Sequence, residues 1–139
     1  VSGVAPARAF ARILAGTVLA LAAGMAPAAG AMLRGDPQAG EMVYARCLAC
    51  HALAYDRTGP RHCGLFGRRA GSVKGFAYSA AMARSRIVWN EQTLDHFLAD
   101  PLKAVPGTTM GYAGVTDSKE RADLIAYLER ANDSASCKK

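Results

Sequence analysis

The sequence has no internal repeat, no low-complexity segment beyond its N-terminal region, and no run of Lys and Arg interleaved with aromatic residues. Without repeats the chain is not a solenoid or propeller, and without that basic pattern it offers no nucleic-acid interface. No segment alternates apolar and polar residues as a half-buried strand would. Nor does any apolar run reach the ~20 residues of a membrane-spanning helix. The nearest is "ILAGTVLALAAGMA", Ile13 to Ala26, which is short and heavy in Ala and Gly.

What is present begins with that run. Arg8 and Arg12 are the only charges in the first thirty residues, and "PAAGAM" follows the apolar stretch. A positive start, a short apolar centre and a small-residue exit read as a secretory signal peptide. Residues 1–31 are therefore expected to be removed, by cleavage after Ala28 or Ala31, rather than kept as an anchor. Residues 32–139 are expected to form one domain with a short C-terminal tail. The formal charge of the chain is +6, and loss of Arg8 and Arg12 lowers it by two. That modest excess suits an acidic partner protein. All four cysteines, Cys47, Cys50, Cys63 and Cys137, lie after the leader, and export would place them where thiols pair.

Helix signals bracket the remaining chain. Asp36 followed by Pro37 predicts a helix start ahead of Cys47. Residues 52–79 are rich in Gly and poor in periodicity, a loop long enough to need something to wrap. "SAAMARS" predicts a short helix. In "NEQTLDHFLADP", Asn90 caps, Pro101 stops, and Leu94, Phe97 and Leu98 share a face. Asp117 with Glu120 opens a last helix whose apolar stripe is Leu124, Tyr127 and Leu128. The expected fold class is all-α, short helices joined by large loops.

"CLACH", Cys47 to His51, carries the chemistry. A redox dithiol needs an α/β setting, and the strands are missing. A zinc site needs four ligands, and the spacing of His62, Cys63 and His96 does not repeat the pair. C-x-x-C-H is the attachment pattern of c-type haem. Two thiols one helical turn apart reach two vinyl groups, and His51 then falls beneath the iron.

Candidates for a sixth ligand are Met25, Met32, Met42, Met82, Met110, His62 and His96. Met25 leaves with the leader, and Met32 sits at its edge. Met42, five residues before Cys47, is on the attachment side. Met82 reads as core and His96 as surface. Met110 lies in "VPGTTMGYAG", a turn-rich loop able to present one thioether to a metal, although a lone Met is as readily a space-filling core residue.

Taken in order, "CLACH", "TGP" (Thr58 to Pro60), "GLFGRRAG" (Gly64 to Gly71), "GFAYS" (Gly75 to Ser79), Val88-Trp89, "PGTTM" (Pro106 to Met110) and "ERADLIAYLERA" (Glu120 to Ala131) resemble the class I cytochromes c, mitochondrial type and bacterial periplasmic. The resemblance spans Gly40 to Asn132. It implies a cytochrome c fold around one covalently attached haem c, with His51 and Met110 on the iron and Cys47 and Cys50 in thioether bonds. It implies that the Pro60 carbonyl orients His51. It places Arg68, Tyr78 and Trp89 at a buried haem propionate, with Thr108 beside it and the ligand loop. Gly40 and Tyr127 would mark a helix crossing. The regions of Cys63 and Cys137 approach one another in that fold, so a disulfide is expected there, the alternative being free or intermolecular thiols.

The sequence also departs from the family pattern. Phe97 stands where a tyrosine is common, Met82 where an asparagine is, and His62 where a hydrophobic residue is. Of the basic ring around the haem edge only Arg46, Arg57 and Lys103 remain, and Thr109 replaces a lysine. The functional expectation is a non-enzymatic, monomeric, periplasmic one-electron carrier. It would run between a quinol-oxidising complex and a terminal oxidase, with transient protein partners, membrane complexes among them, and no nucleic acid. The alternatives are a haem subunit served by a dehydrogenase and, were the sixth site open, a peroxidase or gas-binding protein.

Overall fold

The computed structural model describes residues 1–3 and 33–138. The expected leader, with Met25 and Met32, lies almost wholly outside the described residues. Among these there is no strand, only an isolated antiparallel bridge between Arg69 and Val88. None of the described helices is long and apolar enough to cross a membrane.

Among the described residues five helices form in chain order: α1 (Pro37–Tyr44), α2 (Ala80–Arg84), α3 (Glu91–Ala99), α4 (Pro101–Ala104) and α5 (Ser118–Asn132). A 3-10 turn, Ala45–Cys47, extends α1 to the first cysteine of the motif. Each start has a local cause. The Asp36 carboxylate accepts from the Gln38 N–H, with Pro37 in the first turn where its missing N–H costs nothing. Ser79 caps α2, Asn90 and Thr93 form a reciprocal capping box on α3, and Asp117 accepts from the Glu120 N–H at 2.8 Å. Pro101 does more than stop α3. With Asp100 accepting from the Lys103 N–H, it also opens a further helix, α4.

α1 crosses α5, and Gly40 is why they come so close. A Cβ there would run into the Asp123 carbonyl and lie 2.8 Å from the Tyr127 Cβ. The crossing is clipped by the Asp36 N–H, which donates to the buried Asp123 carboxylate at 2.6 Å. Burial alone would raise that carboxyl. The Asp36 N–H and the Lys119 ammonium outweigh it and hold the group below its usual range. α3 packs on α5, where Arg121 donates to Asp95 at 2.8 Å. Leu94, Phe97 and Leu98 from α3 meet Leu124, Ile125 and Leu128 from α5 in the core. Tyr127, expected in the α5 stripe, is only half-buried and packs at the edge of this cluster.

The long loop has its own backbone order. Gly67 N–H donates to Trp89, Trp89 N–H to Arg68, and Ala70 N–H to Ile87. These bonds lay the strip 67–70 against 87–89 and fix where Arg68 and Trp89 stand. Cys63 and Cys137 form a disulfide, tying the loop to the segment after α5.

Candidate functional site

Cys47 and Cys50 lie one turn apart, with the Cys50 and His51 N–H groups both donating to the Cys47 carbonyl at 3.1 and 2.9 Å. Burial pushes the Cys47 thiol up to about 11, so that sulfur is not a thiolate poised for redox exchange at neutral pH. Among the described residues no cluster of metal-ligating side chains forms a zinc-type site.

The His51 ring is held tightly. Its Nδ1 sits 2.8 Å from the Pro60 carbonyl. A carbonyl can only accept, so Nδ1 carries the proton and Nε2 keeps a free lone pair. Burial lowers the pKa of the ring, more than the Pro60 bond raises it, which keeps the imidazole neutral and able to ligate. Gly59 packs over the ring, where a Cβ would lie 2.6 Å from both nitrogens. Only glycine fits there.

Cys47, Cys50, His51, Pro60, Arg68, Tyr78, Trp89, Thr108 and Met110 all line one cavity of about 520 Å3, within the range of cofactor sites. Its lining is largely apolar, supplied by Leu65, Phe97, Leu98 and Leu128. The Arg68 guanidinium donates to the carbonyls of Cys63 and Arg61 at 2.8 and 2.9 Å but meets no carboxylate among the described residues. Burial lowers its pKa, so this cation gains from an anion brought to the cavity. Tyr78, whose pKa burial raises, accepts weakly from the Val73 N–H at 3.4 Å. The Thr108 hydroxyl accepts from the Met110 N–H at 3.3 Å, shaping the ligand loop locally. Thiols, an oriented imidazole, a thioether and a half-buried cation in an apolar enclosure fit a haem with an acidic edge.

The other ligand candidates sort themselves. Met42 is 79% exposed and His96 is exposed, and neither lines the cavity. Met82 is buried on α2 and does line it, as core and wall together. His62 lines it too, but its ring is stacked on His51 at 4.3 Å and 21°. A ring so placed shares the side of His51 and cannot approach from the other.

No family model matches the chain. Cytochrome c2 of Blastochloris viridis is 43% identical over 121 residues, covering 85% of this chain and 92% of that one. Cytochrome c of Tetrahymena pyriformis is 50% identical over 97 residues, covering 68% and 88%. The chain belongs to the class I c-type cytochromes. Among solved structures, cytochrome cH from Methylobacterium extorquens superposes with a TM-score of 0.67 at 42% identity, over 69% of this chain and 99% of the other. The cytochrome fold is thus all-α as expected, and the cofactor of the family is a covalent haem c with its iron.

Gly59 and Tyr44 gave no signal of their own in the sequence, while His62 stood out only as a polar residue at an apolar position. Arg46 was counted as a docking charge, yet it makes a two-pronged ion pair with Glu120 at 2.7 and 2.6 Å. Arg57 likewise donates to the Leu48 carbonyl.

Proposed function

We propose that the protein is an exported one-electron carrier whose haem is held by Cys47 and Cys50 through thioether bonds and ligated by His51 and Met110. The observation that carries this reading is that the C-x-x-C-H turn, with the His51 tautomer pinned by Pro60, shares one apolar cavity with Met110. When bound, the haem iron supplies reversible one-electron exchange between its ferric and ferrous states, and His/Met ligation favours a high potential. The chain's part is to keep still. Pro60 and Gly59 fix the imidazole plane, the core behind Phe97 and Leu98 excludes water, and Arg68 with Tyr78 and Trp89 balances a propionate. Thr108 shapes the loop that offers the Met110 thioether.

A carrier of this kind transforms no substrate. It meets its donor and acceptor, a quinol-oxidising complex and a terminal oxidase, briefly and as a monomer. Its charge steering is weaker than a full basic ring would give, because Glu120 neutralises Arg46. The periplasm is the expected compartment, with residues 1–31 removed and residues 32–139 forming one domain.

The visible spectrum of the exported protein tests the assignment. Haem that survives denaturing extraction, a low-spin spectrum and a weak long-wavelength Met–Fe(III) band are expected. Met110→Ala should abolish that band and Met82→Ala should keep it. The reverse pattern would move the ligand to Met82. A high-spin parent spectrum would sink the carrier and turn attention to peroxidase or gas-binding chemistry.

A further inference from the structure

The residue behind the proximal ligand is polar where packing alone calls for an aliphatic side chain. His62 lies two residues beyond Pro60, and its N–H donates to the carbonyls of Ala52 and Leu53 at 3.1 Å each, fixing its backbone. Its ring stacks on His51 with centroids 4.3 Å apart and planes within 21°. On its far end, Nδ1 is 3.1 Å from the Tyr44 hydroxyl. Tyr44 is itself buried on α1, with its ring 5.0 Å from that of Tyr127 on α5. An aromatic column therefore runs from the helix crossing to the imidazole: Tyr127, Tyr44, His62, His51. A leucine could fill the volume at position 62, but it would offer neither a flat face nor a hydrogen bond by which α1 could hold that face in register.

We infer that His62, held by Tyr44, is a positioning residue for the proximal ligand, fixing the plane of the His51 ring and thereby the electronic asymmetry and potential of the iron. The inference rests on the His51 ligation proposed above. The orientation of an axial imidazole plane decides which iron orbitals it overlaps, so a change in tilt alters the ferric g-values even when both ligands stay bound. A stacked aromatic face also presents electron density to a ring that shares the iron's charge, which favours the ferric state. Removing His62 should therefore raise the potential. Among the described residues no hydrogen bond or ring pairing joins Tyr44 directly to His51, so Tyr44 acts on that ring through His62.

The experiment uses the haem-loaded protein with three variants: His62→Leu, Tyr44→Phe and the double substitution. Ferric electron paramagnetic resonance gives the g-values, and potentiometry gives the midpoint. In the parent, retention of the Met–Fe band checks the ligand assignment separately, so its absence condemns the functional reading and not this one. The expected result is a g-value shift with a raised potential in His62→Leu, and a smaller shift of the same sign in Tyr44→Phe. The double variant should then match His62→Leu alone, because Tyr44 has nothing left to hold. Tyr44→Phe is nearly isosteric and keeps the test alive should the leucine variant fold poorly. Unchanged g-values in both single variants, with the Met–Fe band intact, would overturn the inference. So would additive effects in the double variant.

Discussion

The two loops that carry the proposed axial ligands, His51 and Met110, are built in opposite ways. Around His51 the backbone is cross-tied: Gly59 N–H donates to the Cys50 carbonyl at 2.7 Å, Cys63 N–H to Leu53 at 2.7 Å, and Leu65 N–H to the Asn132 side chain at 2.8 Å. The Cys63–Cys137 disulfide then fastens this loop to the far end of the chain. Around Met110 there is much less. Thr108 N–H reaches Val105, Met110 N–H reaches the Thr108 hydroxyl, and order resumes only where Val115 N–H donates to Leu98. Local stability follows such ties, so the Met110 loop opens at lower cost than the His51 loop. On the ligation proposed above, the Met110 thioether is the ligand expected to be exchanged first.

Removing the staple should have the largest effect on this contrast. The Cys63→Ser, Cys137→Ser pair gives up a cross-link spanning 74 residues. In the chain-entropy model that costs roughly 4 kcal/mol, read from denaturant midpoints. A loss below ~1 kcal/mol would mean the proximal loop does not depend on the staple. Next in size is the separation of the two loops in one titration. The Met–Fe band should vanish at lower denaturant than the far-ultraviolet helix signal, whereas coincident curves would erase the asymmetry.

A smaller effect is expected at the helix crossing that anchors the proximal side. Asp123→Asn should cost about 1–2 kcal/mol at pH 7, because a charged hydrogen bond to the Asp36 N–H is lost. The folded carboxyl lies below its usual value. Its contribution is therefore complete above about pH 4 and fades as pH falls through the folded value. Parent and variant should converge in acid. A gap that is constant with pH would show that the charge is not what matters. The smallest effect lies at the apolar wall of the cavity. Phe97→Tyr places a hydroxyl there, and a bond to the thioether sulfur would weaken its donation and raise the potential. A net hydrogen bond of ~0.5 kcal/mol corresponds to about 20 mV for one electron, measurable by potentiometry.

The sequence disclosed those parts of the molecule whose causes are local. The C-x-x-C-H turn, the caps at Asp36, Ser79, Asn90 and Asp117, and the Leu94, Phe97, Leu98 face are each written within a few residues. Helix α4 was missed because Pro101 is both an end and a beginning, and only the Asp100 cap tells the two apart. The family resemblance brought Arg68, Tyr78, Trp89 and Thr108 into consideration, and the structure collects them around one cavity with Met110, which its own turn-rich loop already singles out. Arg46 misled because its partner, Glu120, is 74 positions away. His62 was visible as an anomaly, but the Tyr44 hydroxyl and the His51 ring that explain it converge only in three dimensions.

The crossing at Gly40 also bears on how the chain acquires its structure. Asp36 and Asp123, which clip α1 to α5, are 87 positions apart, so the contact closes most of the described residues into a single loop. Such a contact is slow to form and cannot form at all until α5 exists. A chain emerging N-terminus first therefore presents Cys47 and Cys50 as accessible thiols for the entire interval before its last helix arrives. The docking of α5, which lines the cavity through Leu124 and Leu128, then completes the enclosure behind those thiols.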